Sequence, residues 1–316
     1  MSDRDADVSV VIVSYRSRDP LGNCLRALEP ARDEGIRETL IVDNASGDGT
    51  AEGVRAGFPW VRLIVNEANR GFATACNQGL RAASGAFLLL LNPDTEVRPG
   101  ALRTMRGYLA AHPDVGAVGC RLGGRDGRLQ TSCTSFPNLL NFAVLSFLPN
   151  TRLPRFSWAP RCLAECFDHA GVREVDSVLG AAMMVRRDVL DTVGLLDEGF
   201  FLYGEEKDWC YRMWKGGWKV VFLPDAEVVH LGGYSTAQAA DSVAFLYAAQ
   251  RRFLRKHYGL PRCAALVAVF TCGLGLRWLL ARLRALLPGG AFARARAERY
   301  GLAITSFLGG RGPSDG

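Results

Sequence analysis

The chain has 316 residues, of which 48% are hydrophobic and 22% charged, with 35 glycines, 14 prolines and a formal net charge of +6. This composition is typical of a folded globular protein and excludes disordered and collagen-like chains. A chain of this length can bury a sizeable core in one large α/β domain or in two smaller domains.

The cysteines and the first residues predict a cytoplasmic chain with reduced thiols. There are nine cysteines, an odd number without paired spacing, and the start MSDRDADVSVV has no basic stretch or cleavage site. Cys162, Cys166 and His169 imitate the spacing of a zinc site, but no fourth ligand lies nearby in the sequence. We therefore do not expect zinc there.

Four short hydrophobic runs alternate with helix-like stretches in the first hundred residues. They are rich in β-branched residues and leucine, and they occupy residues 8–14, 39–42, 61–65 and 86–91. This pattern predicts a βαβαβ arrangement with a parallel sheet buried on both faces. The loops that follow the strands are where an open α/β sheet places its ligand.

The later elements are less regular. Residues 129–151 carry no charge but contain Pro, Asn and Ser, and we expect an irregular apolar excursion there. Residues 175–187 and 219–224 are predicted strands, and residues 205–217 a helix that ends in a glycine pair.

The loop after the first predicted strand lacks both common glycine-rich phosphate motifs. Neither G-x-G-x-x-G nor G-x-x-x-x-G-K-[ST] follows residues 8–14. Carboxylates, a metal ion and backbone groups are then left to hold any nucleotide.

Seven segments in order resemble the motif series of family 2 glycosyltransferases of the GT-A fold: VSVVIVSYRS, IVDNASGDGT, NRGFATACNQG, LLLLNPDTEV, GAAMMVRRDVL, GLLDEGFFLYGEEKDWCYR and VVHLGG. They are most similar to the bacterial rhamnosyltransferase-like branch and cover about residues 8–234, with a looser likeness in residues 251–259. The resemblance implies an α/β GT-A fold: a Rossmann-like, mostly parallel central sheet with flanking helices. It also implies an inverting, metal-dependent enzyme that transfers a sugar from a nucleoside diphosphate to an acceptor hydroxyl.

The domain organisation follows from this resemblance. Residues 1–240 would form the glycosyltransferase domain, with a nucleotide-binding half at about 8–100 and an acceptor half at about 101–240. Residues 241–316 would form a separate C-terminal helical and basic region.

Asp94 and His230 are the candidate metal ligands. Asp94 follows strand 86–91 and is placed to hold Mg2+ or Mn2+, which prefer oxygen ligands and often bridge phosphates. The family usually has Asp-x-Asp where this chain has Asn92-Pro93-Asp94, which implies weaker metal binding or binding that depends on the donor diphosphate. His230 resembles a second ligand from a late loop. The alternatives are a Pro-Asp turn and a packed histidine.

The nucleotide-binding candidates lie in the loops after the strands. Asp43 and Asn44 match a family pair of which one member reads the base edge. A pyrimidine offers an N3–H donor to a side-chain oxygen, so uracil or thymine is expected. Tyr15 would stack on the base or ribose, or pack at the sheet edge. The remaining candidates are Ser14, Asn69, Gly71, Asn77 and Asn92.

Three acids open the predicted helix at residue 205, namely Glu205, Glu206 and Asp208, and they are the candidate catalytic residues. Asp208 lies four residues before Arg212, which predicts an ion pair. Glu206 lies about 200° around the helix from Asp208 and is the better free base. The resemblance agrees, since the family's base lies six residues before the arginine, although it is usually Asp. Mutual repulsion of the acids is expected to raise one pKa. The alternative is that these acids only complement the helix dipole.

The acceptor-side candidates are Asp197, Glu198, Phe201 and Trp209. The first two resemble the family's acceptor loop or form a solvated turn. Aromatic rings can stack on a sugar, but they are also common core residues. The apolar residues 129–151 and the basic C-terminal region would together suit a lipid-diphosphate-linked saccharide at the cytoplasmic face of the membrane, an idea that rests largely on the family resemblance.

The C-terminal region is strongly basic. Residues 241–316 carry twelve Arg and Lys against three acids, a net of +9, which leaves −3 for residues 1–240. This indicates an anionic membrane surface or nucleic acid as partner. The uncharged run 263–276 is expected to be too short to span a bilayer and long enough for an interfacial helix, or to be a buried helix. No nucleic-acid motif occurs, and we do not expect nucleic acid.

The sequence therefore predicts a peripheral membrane glycosyltransferase of cell-envelope polysaccharide or lipopolysaccharide synthesis, with dTDP-L-rhamnose as donor. UDP-hexose and UDP-galactofuranose are alternative donors. A second hypothesis is a catalytically silent protein that binds a nucleotide sugar or a glycan, because Asn92 and Glu206 replace the usual acids.

Overall fold

The computed structural model describes residues 7–147, 157, 159–232, 242–287 and 291–309. The strands are β1 (Val8–Ser14), β2 (Ile36–Asp43), β3 (Arg62–Val65), β4 (Phe87–Leu91), β5 (Thr95–Val97), β6 (Val115–Gly123), β7 (Cys133–Thr134), β8 (Arg173–Glu174), β9 (Ser177–Val178), β10 (Ala182–Arg186) and β11 (Lys219–His230). The α-helices are α1 (Arg18–Leu28), α2 (Thr50–Gly57), α3 (Phe72–Ala82), α4 (Ala101–Ala111), α5 (Leu139–Phe147), α6 (Asp188–Val193), α7 (Glu205–Lys215), α8 (Ser242–His257), α9 (Leu260–Ala285) and α10 (Ala291–Gly309).

The predicted α/β fold is confirmed. The main sheet has the order β3-β2-β1-β4-β10-β6-β11-β5, with β8 beside β11. Strands β1 to β4 are mutually parallel, whereas β10 runs antiparallel to both of its neighbours. The four strands predicted in the first hundred residues are all present, because each is a hydrophobic run suited to a sheet covered on both faces.

Two hydrophobic clusters cover the two faces of this sheet. Side chains alternate along a strand, so Val11 of β1 belongs to the cluster beneath α3 and α7, and Val10 and Ile12 belong to the cluster beneath α1 and α4. The sheet is therefore the middle layer of three. This arrangement leaves the carboxyl ends of its strands free to form a site.

The irregular excursion predicted over residues 129–151 is wrong in part. Strand β7 and helix α5 form within it, and its end lies outside the described residues. Helix α5 packs on α9, with the rings of Phe142 and Phe270 at 5.2 Å. Tertiary packing of an uncharged segment, rather than a local pattern, accounts for this helix.

The strand predicted over residues 175–187 is interrupted. It forms β9 and β10, with residues 179–181 between them. In this gap the backbone oxygen of Ala181 accepts a 2.9 Å hydrogen bond from the backbone N–H of Asn92. The interruption therefore connects the segment before α6 to the loop after β4.

The C-terminal helices α8 to α10 share the core of the rest of the chain. Buried side chains from all three helices belong to the same cluster as β1 and α7, among them Phe253, Leu254, Leu266, Phe270 and Phe307. The predicted boundary at residue 240 falls in residues 233–241, which lie outside the described part. Within the described part, these helices extend the core of the sheet domain.

Helix α9 is longer than the uncharged run inside it. The expectation that this run is too short to span a bilayer is wrong for the helix, which has 26 residues and, among the described helices, is the one long and apolar enough to cross a membrane by length and composition. At the two ends of the run, Arg262 and Arg277 donate hydrogen bonds to the backbone oxygens of Pro137 and Leu145. Only 22% of its most apolar window is buried.

Candidate active site

The loops that carry most of the predicted site residues meet at one edge of the sheet. Strands β1, β2 and β4 are parallel neighbours, with Ser14 opposite Asp43 and Ile12 opposite Leu91. In the sheet, β2 and β3 lie on one side of β1, and the next strand along the chain, β4, lies on its other side. This reversal is the position at which open α/β sheets bind ligands.

The structure brings Asp94 and His230 together. Thr95 of β5 lies opposite His230 of β11 in an antiparallel pair, and the backbone N–H of Leu231 donates to the backbone oxygen of Asp94 at 2.9 Å. His230 Nε2 then lies 3.5 Å from Asp94 Oδ1, and the carboxylate is almost fully buried. Two residues 136 positions apart in the sequence therefore form one potential ligand pair.

Gln130 fixes the tautomer of His230. Its Nε2 donates to the backbone oxygen of His230 at 2.7 Å, so its Oε1 is the atom 2.9 Å from His230 Nδ1. A carbonyl oxygen can only accept, and the hydrogen-bond network therefore assigns the proton to Nδ1. In the neutral ring, Nε2 presents a lone pair to Asp94.

This arrangement fits a divalent cation. Two acceptor atoms face each other at 3.5 Å, which is unfavourable without a proton or a cation between them. In the described residues no group of three or more His, Cys, Asp and Glu could hold a metal, so the protein offers two ligands and a diphosphate would supply others. Gln130 would then be the outer residue that orients a ligating histidine.

Asp43 and Asn44 have different surroundings. Asp43 is buried and its Oδ1 accepts a short hydrogen bond from the Ser46 hydroxyl; burial raises the pKa of Asp43, against the lowering effect of Ser46. Asn44 donates to Asn69 Oδ1 at 2.8 Å and to the Gly71 backbone oxygen, and its own Oδ1 accepts two further hydrogen bonds. Asn44 therefore shapes the loop after β3, and Asp43 is the better candidate to contact a base.

Gly71 and Asn77 attach this part of the chain to the predicted acceptor loop. A Cβ at Gly71, where φ is +81°, would meet the Phe201 backbone oxygen at 2.9 Å. The Asn77 side chain donates to Leu196 O and Glu198 Oε1, both at 2.9 Å, and accepts from the Leu196 N–H. Because these bonds occupy both the nitrogen and the oxygen of the amide, Asn77 holds the predicted acceptor loop and is not free to bind a nucleotide.

Ser14, Tyr15 and Asn92 lie at the carboxyl ends of the strands, at the edge of the sheet where the nucleotide is expected. Ser14 Oγ is buried and has no hydrogen-bond partner among the described residues. Tyr15 is partly exposed, and the Arg16 guanidinium lies 5.3 Å from its ring centre. The backbone oxygen of Asn92 accepts from the Thr95 hydroxyl at 2.7 Å, which fixes the turn that presents Asp94.

Glu205 and Glu206 begin helix α7, after Gly204 in the left-handed conformation. One carboxylate oxygen of each is out of contact with solvent and has no hydrogen-bond partner among the described residues. Burial raises the pKa of both, and the neighbouring Glu206 raises that of Glu205 further. Sequence reasoning expected repulsion to be the cause, but loss of hydration is the larger effect.

Glu206 lies beside the segment that bonds to the loop after β4. Its Cβ lies 3.6 Å from the position of a Cβ added at Gly180, next to Ala181, which bonds to Asn92. Glu205 instead faces α3, where it contributes to raising the pKa of the buried Cys76 thiol after the effect of burial. This placement favours Glu206 over Glu205 as the base.

Asp208 does not face the site, and its inclusion among the catalytic candidates is wrong. The predicted ion pair with Arg212 is present, with Nε 2.8 Å from Oδ2. His257 Nε2 and Lys256 Nζ lie 2.7 Å from the other oxygen, and the side chain is fully buried. Burial alone would raise the pKa of Asp208, but the bonds from His257, Lys256 and Arg212 lower it to about 2.

Trp209 and Asp197 also differ from their predictions. Trp209 is fully buried and donates from Nε1 to the Gly194 oxygen at 2.8 Å, so it is a core residue and cannot stack on an acceptor. The alternative of a solvated turn is wrong for Asp197, because Arg252 and Lys256 contact its carboxylate. Glu198 and Phe201 remain accessible at the surface of this loop.

Sequence reasoning missed three residues that organise the site. Gln130 lies in the charge-free segment and carries no motif. Lys256 and His257 lie in the segment with a looser family likeness, which suggested no role for them.

His169, which belongs to the zinc-like spacing, makes hydrogen bonds within the protein: its Nε2 accepts from the Ser132 N–H at 3.1 Å, and its Nδ1 lies 2.8 Å from Phe167 O.

Comparisons with known proteins show what the chain is similar to. The model of glycosyl transferase family 2 matches residues 9–194. An N-acetylglucosaminyl-diphospho-decaprenol L-rhamnosyltransferase of Mycobacterium tuberculosis is 30% identical over 240 residues, which cover 72% of this chain and 77% of that protein. The low-salt glycan biosynthesis hexosyltransferase Agl10 of Haloferax volcanii is 25% identical over 210 residues, or 65% and 61% of the two chains.

Solved structures with the same fold are glycosyltransferases. The mannosyltransferase PcManGT from Pyrobaculum calidifontis, in complex with GDP-Man and Mn2+, aligns with a TM-score of 0.55 at 18% identity, covering 95% of this chain and 86% of that one. GalNAc-T7 with UDP, GalNAc and Mn2+ aligns with a TM-score of 0.58 at 16% identity, covering 96% and 55%. At these identities the likeness shows the fold alone.

Proposed function

Because the chain belongs to glycosyl transferase family 2, we propose that this glycosyltransferase inverts configuration and moves a sugar from a nucleoside diphosphate to a hydroxyl of a lipid-linked saccharide. One observation carries the proposal: the facing acceptor atoms of Asp94 and His230 lie at the same sheet edge as a base candidate, Glu206. Direct displacement at the anomeric carbon needs both a means of stabilising the leaving diphosphate and a base.

The residues divide the work between the two sides of the reacting carbon. Asp94 and His230 would hold a divalent cation, which when bound neutralises charge on the diphosphate. Glu206 takes the proton of the acceptor hydroxyl, and burial raises the pKa of its carboxyl group, which is the direction that makes a carboxylate a stronger base. Asp43 and Tyr15 bind the base and ribose, and Ser14 offers a buried hydroxyl at the same edge.

The donor and acceptor are proposed from the curated relative. The name of that protein specifies transfer of L-rhamnose to N-acetylglucosaminyl-diphospho-decaprenol, so we propose dTDP-L-rhamnose as donor and a GlcNAc-diphospho-polyprenol as acceptor. UDP-hexose and UDP-galactofuranose are the alternative donors. The catalytically silent binder remains the second candidate, because Asn92 and Glu206 replace two acids that are usual in the family.

A polyprenyl acceptor requires access to a membrane, and the C-terminal helices offer a suitable surface. Four aromatic and basic residues form two exposed pairs, with Arg282 5.8 Å from the ring centre of Trp278 and Arg296 4.9 Å from that of Phe292. The leucines around them are at least 46% exposed, namely Leu276, Leu279, Leu280, Leu283, Leu286 and Leu287. Apolar side chains fringed by arginine are typical of a helix at an anionic membrane interface. We propose peripheral binding at the cytoplasmic face.

The first experiment is calorimetric titration with dTDP, UDP, GDP and CDP, each with and without Mn2+, on the wild type and Asp94→Ala. Metal-dependent binding of dTDP or UDP that Asp94→Ala abolishes is expected. Transfer from dTDP-rhamnose to a GlcNAc-diphospho-lipid then tests the reaction. Binding without transfer would favour the silent binder, and no nucleotide binding under any condition would overturn the proposal.

A further inference from the structure

Helix α8 reaches two acidic residues on different elements. Lys256 Nζ lies 2.7 Å from Asp208 Oδ1 on α7 and 2.7 Å from Asp197 Oδ2 in the loop before it. His257 Nε2 also lies 2.7 Å from Asp208 Oδ1. Arg252 adds two contacts to Asp197, at 3.1 and 3.2 Å. One ammonium group therefore bridges the loop and the helix.

The part of this bridge that contacts α7 is buried. The Asp208 side chain has no exposed surface and that of His257 is 5% exposed, whereas Lys256 is 31% exposed. Removing a carboxylate from water is unfavourable unless cations and hydrogen bonds compensate it. Without Lys256 the two carboxylates would lose the cation they share, and the contact between loop and helix would weaken.

We propose that Lys256 and His257 are positioning residues for sugar transfer. They hold the first turn of α7, which begins with Glu205 and Glu206, against the loop at residues 197–201. The inference rests on the proposed function, which assigns this loop and Glu206 to the acceptor side. Neither residue contacts the nucleotide edge formed by Ser14 and Asp43.

The position of the bridge predicts which kinetic step depends on it. Asp43 and Asp94 are held by other elements, so donor binding does not depend on Lys256. The base depends on the placement of α7, and a misplacement of about 1 Å can lower a rate by roughly 10²-fold. Loss of the bridge is therefore expected to reduce kcat while leaving donor affinity unchanged.

The test compares Lys256→Gln with Arg255→Gln. Arg255 is the adjacent residue of the same helix, is exposed and has no ion pair among the described residues, so the control removes the same charge. We expect Lys256→Gln to lower kcat for transfer from dTDP-rhamnose by about tenfold or more, with dTDP affinity within about twofold and Arg255→Gln near wild type. Lys256→Arg keeps a cation that can bind two carboxylates and should recover most of the activity.

Hydrogen exchange of peptides covering residues 195–208 provides a readout that needs no substrate. Lys256→Gln should exchange faster than Arg255→Gln in this segment. If Lys256→Gln fails to fold, Asp197→Asn weakens the same bridge and leaves Asp208 paired. Unchanged kcat, unchanged exchange in both bridge variants, or a loss matched by weaker dTDP binding would overturn the inference. A wild type that binds dTDP but transfers no sugar would overturn the proposed function instead, and the exchange rates would still decide whether the bridge holds α7.

Discussion

His230 presents Nε2 to Oδ1 of Asp94 at 3.5 Å, and Gln130 determines that this nitrogen carries no proton in the neutral ring. The Gln130 amide cannot rotate without losing its 2.7 Å bond to the His230 oxygen. Affinity for a cation at this pair therefore depends on a residue that would not touch the cation.

Gln130→Leu is expected to weaken Mn2+ binding in the presence of dTDP by about 10- to 100-fold, the usual effect of losing an outer hydrogen bond to a ligand. The substitution removes the acceptor at Nδ1, so the proton can move to Nε2. Calorimetric titration of Mn2+ into the enzyme with saturating dTDP measures the change. Gln130→Glu keeps an acceptor for Nδ1 but loses the donor to the His230 oxygen, so it separates the effects of the two bonds. Equal affinities for Gln130→Leu and the wild type would refute the role of Gln130.

Glu206→Gln should abolish transfer and leave dTDP binding intact. A general base contributes about 10²- to 10⁴-fold in rate, and the amide cannot accept the proton. Glu205→Gln is the matched control, because it is the adjacent residue, is buried and faces α3. The transfer rate and the dTDP affinity of both variants are measured, and the rates decide which glutamate is the base. A larger loss in Glu205→Gln would show that Glu205 is the base.

Glu205→Gln should also stabilise the protein, and more so at higher pH. Burial and then Glu206 raise the pKa of Glu205 well above its usual value, so the folded state holds this proton more tightly than the unfolded state. The destabilising effect of the carboxyl therefore grows as pH rises above the ordinary Glu range toward the folded pKa. Thermal unfolding at pH 5 and pH 8 should show a larger increase in Tm at pH 8. Glu198→Gln, at an exposed acid whose pKa Asn77 lowers, should give no such increase.

Asp208→Asn should have the opposite effect. The bonds from His257, Lys256 and Arg212 outweigh burial and bring the pKa of Asp208 from its ordinary value near 3.8 to about 2. This group contributes stability that is fully present above pH 4 and is lost as pH falls from about 4 toward 2, by about 2 kcal/mol in total. Urea unfolding at pH 7 and pH 3 should show a larger loss for Asp208→Asn at pH 7. An equal loss at both pH values would contradict the ionic origin of its effect.

The sequence predicts the elements whose local pattern and burial agree. Strands β1 and β4 are continuous hydrophobic runs, and helix α7 ends before a glycine pair, so the sequence predicts these elements close to their observed bounds. Strand β2 begins three residues before its predicted start, because its first residues, Ile36 to Glu38, include two charged side chains. Helix α5 was not predicted, because its stability comes from packing on α9. Long-range contacts cannot be inferred from one sequence either, and the Lys256 bridge joins residues 48 and 59 positions apart.

Within the site, the structure brings together two residues that the motifs identify, and it turns others away because no motif shows the direction of a side chain. Asp94 and His230 meet as the resemblance implied. Trp209 and Asp208 stand in the same motif as Glu206, but the helix turns them toward the core and toward α8. The spacing of residues along a helix does not show which of its faces a neighbouring helix covers. The neighbour here, α8, begins more than 30 residues after Asp208 and Trp209.

The proposed membrane-binding surface needs a test that keeps the C-terminal helices in place. Removing all residues after 240 would take Phe253 and Phe270 out of the core and His257 away from Asp208. Loss of membrane binding in such a truncation would then report unfolding as readily as the loss of a surface. Substitutions on exposed positions of α9 avoid this problem.

Arg282→Gln with Arg284→Gln should weaken binding to vesicles of anionic phosphatidylglycerol. Both residues are exposed, and each basic residue near an anionic surface contributes about 1 kcal/mol, so the pair should reduce partitioning by roughly 30-fold. Arg55→Gln on α2, beneath the opposite face of the sheet, removes a charge elsewhere and should have no effect. Vesicle sedimentation with dTDP affinity measured in parallel checks the expectation. Partitioning that is unchanged in the double variant would assign the arginines to a solvated face, and binding that persists on neutral vesicles would assign it to the exposed leucines of α9.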